Sequence, residues 1–231
     1  MNPIPHEIIE PFSVLWWQAN VITALFIITL LFYANKLNKS NIIKLTCLVG
    51  VFLCSRVVFM QIYQLYTGIW IAASSIPIHL CGLSSILAGV LMFKRNQLAY
   101  ECLFYWGLAG ALQSLLTPEF TLGKDNPIIF ADYFISHGGI IFSALYLTII
   151  LGMRPREKSW LKIFFLSQLL IPIIGTINWL FNANYMYLCD KPIVDNPLLI
   201  GEWPVYLIFI EFFALINCWL LYQPIKIFKK D

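Results

Sequence analysis

The sequence predicts an all-α, polytopic membrane protein with seven transmembrane helices, its N-terminus outside and its C-terminus cytoplasmic. Three observations carry this. The 231-residue chain is 60% hydrophobic and 12% charged with a mean hydropathy of +0.77, where a soluble domain carries about 25% charged residues. Seven apolar runs of 19 to 25 residues recur along it, each long enough to cross a hydrocarbon core of about 30 Å at 1.5 Å per residue. Twelve of its fifteen Lys and Arg residues fall on one set of alternate connections.

In order, the runs are Val14–Tyr33, Ile42–Tyr63, Ile69–Phe93, Leu98–Leu116, Tyr133–Leu151, Leu161–Phe181 and Trp203–Tyr222. Backbone amides in lipid must be satisfied within their own segment, so each run is expected to be helical. Lys36, Lys39 and Lys44 flank the first connection, and Lys94 and Arg95 the third. Arg154, Arg156, Lys158 and Lys162 flank the fifth, and Lys226, Lys229 and Lys230 follow the last run. The opposite side has Lys124 and Lys191, while Arg56 lies inside a run. That bias sets the orientation and favours an odd number of spans. Seven of the eight tryptophans fall near run ends, where their amphipathic rings prefer to sit, and only Trp106 is central. With no internal repeat or linker, residues 1–231 read as one transmembrane domain.

The formal net charge of +3 includes no basic block of the nucleic-acid-binding kind. The opening MNPIPHEIIE carries no Lys or Arg, so it is not expected to form the n-region of a cleavable signal. Five cysteines (Cys47, Cys54, Cys81, Cys102 and Cys218) lie in apolar runs, which leaves Cys189 without a loop partner and argues against a disulfide scaffold.

Polar groups within spans are costly, and their positions mark candidate sites. The third run is broken by Ser74, Ser75, Pro77, His79, Cys81, Gly82, Ser84, Ser85 and Gly89. Pro77 bends or interrupts a helix. Cys81, Ser84 and Ser85 share one helical face, but His79 faces elsewhere unless the Pro77 region is unwound. The fourth run ends with Gln113, Ser114, Thr117 and Glu119, the fifth opens with Asp132, Tyr133, Ser136 and His137, and the sixth ends with Asn178, Asn182 and Asn184. Four spans thus bring polar groups to one depth, between mid-membrane and the outer face. Serines and glycines on spanning helices ordinarily serve close packing, and most buried cysteines act as small hydrophobes. Arg56 and Glu211 are the charges furthest inside runs and are expected to pair; Glu211 orienting His137 is the other role open to it.

The segments PIHLCGLSSILAGVLMF, FYWGLAGALQSLLTPE, YFISHGGIIFSALYLT, NWLFNANYMYLC and EWPVYLIFIE resemble the YwaF-like family of integral membrane proteins. That family includes bacterial members and the eukaryotic transmembrane protein 164. The resemblance runs from about Pro77 to Tyr222, with HLCG and SHGG its most specific pieces. It implies an intramembrane acyltransferase with the cysteine of HLCG, Cys81, as nucleophile and the histidine of SHGG, His137, as base. Membrane phospholipid and lysophospholipid would be the substrates, and a bacterial cytoplasmic membrane the location. No soluble cofactor, resident metal, nucleic acid or obligate protein partner is implied, although an acyl-CoA donor also fits.

The chemistry is consistent with the residue types. A thiol attacks as thiolate and needs a nearby base or cation in an apolar setting. His137 supplies the base if the third and fifth spans meet, Tyr133 is placed to hold its imidazole, and Gln113, Asn178 and Asn184 offer amides for an oxyanion. His79 adds a candidate substrate contact. If water accepts the acyl group, the same pair forms a lipid hydrolase. A zinc site from His79, Cys81 and His137 with Asp132 or Glu119 is one rival reading, and a metal-dependent hydrolase would use it. A lipid-binding or transport pocket on a helix broken at Pro77 is another.

Overall fold

The computed structural model describes residues 7–120, 123–193 and 199–227; residues 1–6 and the C-terminal Lys229 and Lys230 lie outside them. Among the described residues the chain is all-α apart from one short strand pair. Helix α1 spans Val14–Asn35, α2 Lys39–Thr67 and α3 Leu80–Phe93. Helix α4 runs through Gln97–Cys102, a π-helical turn Leu103–Gly107 and Leu108–Leu116. Helix α5 spans Pro127–Ile149, α6 Ser159–Gln168 and Leu170–Phe181, and α7 Val205–Ile227.

Local chemistry sets the helix ends. Ser13, Asn38, Asn96 and Asn126 each cap a first turn with a side-chain oxygen, and Pro127 follows at N1, where its missing N–H costs nothing. Gly68 closes α2 at φ 74° and Asn182 closes α6 at φ 53°, both left-handed.

Among the described residues, five helices are long and apolar enough to cross a membrane: Val14–Asn35, Lys39–Thr67, Pro127–Ile149, Ser159–Phe181 and Val205–Lys226. Large apolar side chains such as Phe26, Val58, Trp179 and Ile208 face outward, as they must where the solvent is lipid. Helix α5 is the hub. It packs against α1, α2, α3 and α4, and 44% of its most apolar window is buried, against 17–22% for the other four. Helix α7 packs on α6 at the periphery.

The third run departs from expectation. Helix α3 has 14 residues, about 21 Å, too short to cross alone, and Ile69–His79 is irregular. Irregular backbone in apolar surroundings persists only where protein satisfies its polar groups, and here Gln61 and Tyr185 do so. Gln61 donates to the Ser75 carbonyl at 2.9 Å, and the Tyr185 hydroxyl donates to Ala72 O at 2.6 Å and accepts from Ile76 N at 3.0 Å. Gly82 lets the returning chain pass, because a Cβ there would lie 2.6 Å from the Pro77 carbonyl.

Two further differences matter. Helix α5 begins at Pro127 rather than Tyr133, which puts Asp132 inside the helix. Helix α4 carries its π turn around Trp106, whose indole N–H donates to Ser167 of α6 at 2.7 Å. Outside the bundle, Glu7–Ile8 pairs antiparallel with Glu119–Phe120, tying the N-terminal segment to the connection after α4.

Candidate functional site

Cys81 occupies the second position of α3, because the helix starts at Leu80. The first intrahelical backbone bond runs from Leu83 N to His79 O at 2.9 Å. The amides of Leu80, Cys81 and Gly82 therefore have no hydrogen-bond acceptor among the described residues, as expected of a first helical turn. A thiol in this turn sits beside the positive end of the helix dipole, which favours any oxyanion formed next to it. The Cys81 sulfur lies 3.6 Å from the Ser114 hydroxyl of α4.

His137 projects from α5 and is buried. Its Nδ1 lies 2.7 Å from the Tyr133 carbonyl one turn back. A carbonyl only accepts, so Nδ1 carries the proton and Nε2 keeps the lone pair of a base. The Tyr133 ring packs against the imidazole at 4.3 Å, and its hydroxyl donates to the Ser114 carbonyl at 2.8 Å. Sulfur and imidazole thus share no hydrogen bond; the contacts connecting them run through Ser114 and Tyr133.

His137 and Tyr133 line a cavity of about 240 Å³ together with Gln64, Ser74, Ser75, Glu119, Asp132 and Ser136. Its walls come from α2, α5, the irregular Ile69–His79 stretch and the connection after α4. On the far side of α5 an apolar crevice of about 720 Å³ opens between α1, α2 and α5, floored by Gly138 and Gly139. Helix α5 therefore separates a polar chamber from an apolar one.

Several expected roles change. Arg56 does not pair with Glu211. It pairs with Asp132 at 2.6 Å, brought within reach by the earlier start of α5, while Glu211 on peripheral α7 accepts from Gln168 of α6 at 2.6 Å. Glu211 consequently does not orient His137, whose Nδ1 is held by its own helix.

The three side-chain amides proposed for an oxyanion are also committed elsewhere. Asn178 exchanges two hydrogen bonds with the Tyr185 backbone, at 2.8 and 3.0 Å, and is buried. Asn184 caps the turn to Asp190, accepting from Cys189 N and Asp190 N. Gln113 is exposed and donates to Thr117, the residue that caps the end of its helix.

The Pro77 region is unwound, yet His79 does not join Cys81. Its Nδ1 accepts from Met186 N at 3.1 Å, and its ring packs against Tyr185 and Tyr187. No three His, Cys, Asp or Glu side chains converge as a metal site among the described residues, and the zinc constellation of His79, Cys81 and His137 is not assembled.

Sequence reasoning places a bend or interruption at Pro77 but misses the free amides, because it does not fix where the helix restarts. It also misses Gly110, one turn from Ser114 on the α4 face against the thiol. The signal available was that pair of small residues at helical spacing.

A thiol, an imidazole and a half-buried ion pair inside a bundle of apolar helices define a polytopic α-helical membrane protein with a polar site between its helices. The chain belongs to the TMEM164 family: the sequence model of that family matches residues 7–222. The match reaches further toward the N-terminus than the Pro77–Tyr222 likeness and takes in α1 and α2. Comparison with curated proteins gives no match, and comparison with solved structures gives none.

Proposed function

We propose that the chain is an intramembrane lipid acyltransferase that carries the acyl group on Cys81. The observation that supports this most is the thiol's position in the first turn of a short apolar helix, with three unpartnered amides beside it. In the first half-reaction the Cys81 sulfur attacks the ester carbonyl of a phospholipid. The C–S bond forms, the C–O bond breaks, and the thiol proton, taken up by His137 Nε2 through a bridging water, goes to the departing lysophospholipid oxygen. In the second, His137 removes the proton of an acceptor hydroxyl. That oxygen attacks the thioester, the C–S bond breaks and the thiol is restored. The α3 amides stabilise the oxyanion in both halves, the role first assigned to Gln113, Asn178 and Asn184.

The same proposal includes seven crossings, with the N-terminus outside and the C-terminus in the cytoplasm of a bacterial cell. Helix α3 with its irregular approach makes the third crossing and the composite α4 the fourth. The partners are phospholipid and lysophospholipid. Purified protein incubated with acyl-labelled phospholipid is expected to yield a hydroxylamine-sensitive acyl adduct on the Cys81 peptide, absent in Cys81→Ser. A correctly assembled protein that forms no adduct on Cys81 overturns the reading.

The crevice between α1, α2 and α5 favours a second reading, a lipid-binding protein without chemistry. Its one polar wall residue, Thr23, already donates to Ala19 O at 2.8 Å, so an apolar chain meets no unsatisfied group. Bound lipid retained equally by wild type, Cys81→Ala and His137→Ala, with unchanged membrane acyl composition in all three, supports this second reading over the first.

A further inference from the structure

The reactive thiol of the proposed acyl transfer rests on a seat built by α4, and the residues of that seat have no role in the chemistry above. Gly110 and Ser114 lie one turn apart on one face of α4. A Cβ at Gly110 would come within 3.1 Å of the Cys81 sulfur, so the bare glycine leaves the thiol room against the helix. The Ser114 hydroxyl sits 3.6 Å from the same sulfur. Serine in a helix commonly returns its hydroxyl to the carbonyl four residues back; here the hydroxyl's partner is Cys81. The Ser114 backbone is fixed in turn, because its carbonyl accepts the Tyr133 hydroxyl at 2.8 Å.

We propose that Ser114 is a positioning residue for the Cys81 nucleophile: its hydroxyl donates to the sulfur as thiolate and holds it over Gly110, at the first turn of α3. The direction follows from chemistry. A thiolate only accepts, and Ser114 is the hydroxyl within reach of it. This deepens the acyl-transfer reading and rests on Cys81 being the reactive group. It also connects the two halves of the site, since Tyr133 touches both the Ser114 backbone and the His137 ring.

The test is the pH profile of Cys81 alkylation by N-ethylmaleimide in the detergent-solubilised full chain, followed by mass spectrometry of the Cys81 peptide. No lipid substrate is needed. Losing one hydrogen bond to a charged group should slow Ser114→Ala about tenfold near neutral pH and move its profile to higher pH. Ser114→Thr, which keeps the hydroxyl, should restore the wild-type profile. Gly110→Ala should slow alkylation at every pH without moving the midpoint, because it crowds the sulfur but leaves the hydrogen bond. A Ser114→Ala profile superimposed on wild type overturns the proposal. If that variant fails to fold, Tyr133→Phe, which frees the Ser114 carbonyl, carries the same test: a shift to higher pH supports the seat, and an unmoved profile overturns it. An unmoved profile with the acyl adduct still formed removes Ser114 and leaves acyl transfer standing. A shifted profile without any adduct does the reverse.

Discussion

Arg56 donates to Asp132 across 2.6 Å through one terminal nitrogen and to Ser85 across 2.5 Å through the other, so one guanidinium ties α2 to α5 and α3. The two charged side chains keep only 11% and 19% of their exposure. Removing one partner of such a pair leaves the other buried and unpaired, which typically costs about 3–5 kcal/mol. Arg56→Ala and Asp132→Ala are each expected to lower the thermal unfolding midpoint and the membrane level sharply. Exchanging the two residues should recover part of the loss, whereas exchanging Arg56 with Glu211 should recover none. Arg56→Lys should fall between, because a single ammonium does not reach Asp132 and Ser85 in a fork. Recovery by the 56/211 exchange would contradict this pairing.

The irregular Ile69–His79 stretch takes two of its backbone hydrogen bonds from one hydroxyl remote in sequence. Tyr185 OH serves both Ala72 O and Ile76 N, and Tyr185 is itself anchored by Asn178. Tyr185→Phe keeps the buried ring and removes the bridge, leaving two backbone groups unsatisfied at about 1–3 kcal/mol each. The expected result is faster amide hydrogen exchange confined to residues 69–80, with α1 and α5 unchanged. Uniform protection along the chain would show that the bridge does not hold the segment.

The apolar runs and the basic bias made the class of the molecule legible, because a helix that must satisfy its amides in lipid has few alternatives. Helix ends were less legible. The α5 start at Pro127 is announced by Asn126-Pro127, but IIFA after it continues the apolar pattern in a way that blurs where the span begins. The α3 start is half legible: Pro77 marks a break in a run with the length and composition of a full span, but how far the irregular stretch extends depends on partners remote in sequence, such as Tyr185. At the site, Cys81, His137 and Tyr133 were identifiable as polar groups in the wrong solvent. Their neighbours were not. Which carboxylate meets Arg56 and which hydroxyl meets the thiol depend on helix rotation, and composition does not encode rotation.

At the end of the bundle with Lys94 and Arg154, a second polar knot passed unnoticed in the sequence. Glu101 of α4 is fully buried, and its carboxylate accepts from Arg156 N, Nε and Nη2 at 2.9, 2.8 and 2.7 Å and from Gln97 at 2.9 Å. It joins α4 to the connection before α6. Arg156→Ala should lower the unfolding midpoint clearly, and Arg156→Lys should restore little, because the fork is lost. Lys191→Ala is the comparison: its partner Glu202 is 88% exposed, and surface pairs of that kind contribute little. Equal effects at 156 and 191 would refute the distinction.

The proposed seven-crossing topology fixes the sidedness of the loops. Ser40, in the first turn of α2, and Asp125, just before the Asn126 cap of α5, are both exposed and lie on opposite sides of the proposed membrane. An impermeant maleimide applied to intact cells should label Asp125→Cys and leave Ser40→Cys unlabelled until the cells are permeabilised, each read against the parent chain with its native cysteines. The expectation follows from Lys36, Lys39 and Lys44 around the first connection, since positive charge resists transfer to the outer face. It also depends on α3 and its irregular approach making one net crossing. If Ile69–Phe93 instead entered and left on the same side, both positions would label together, and the five full-length helices would have to carry the topology without it.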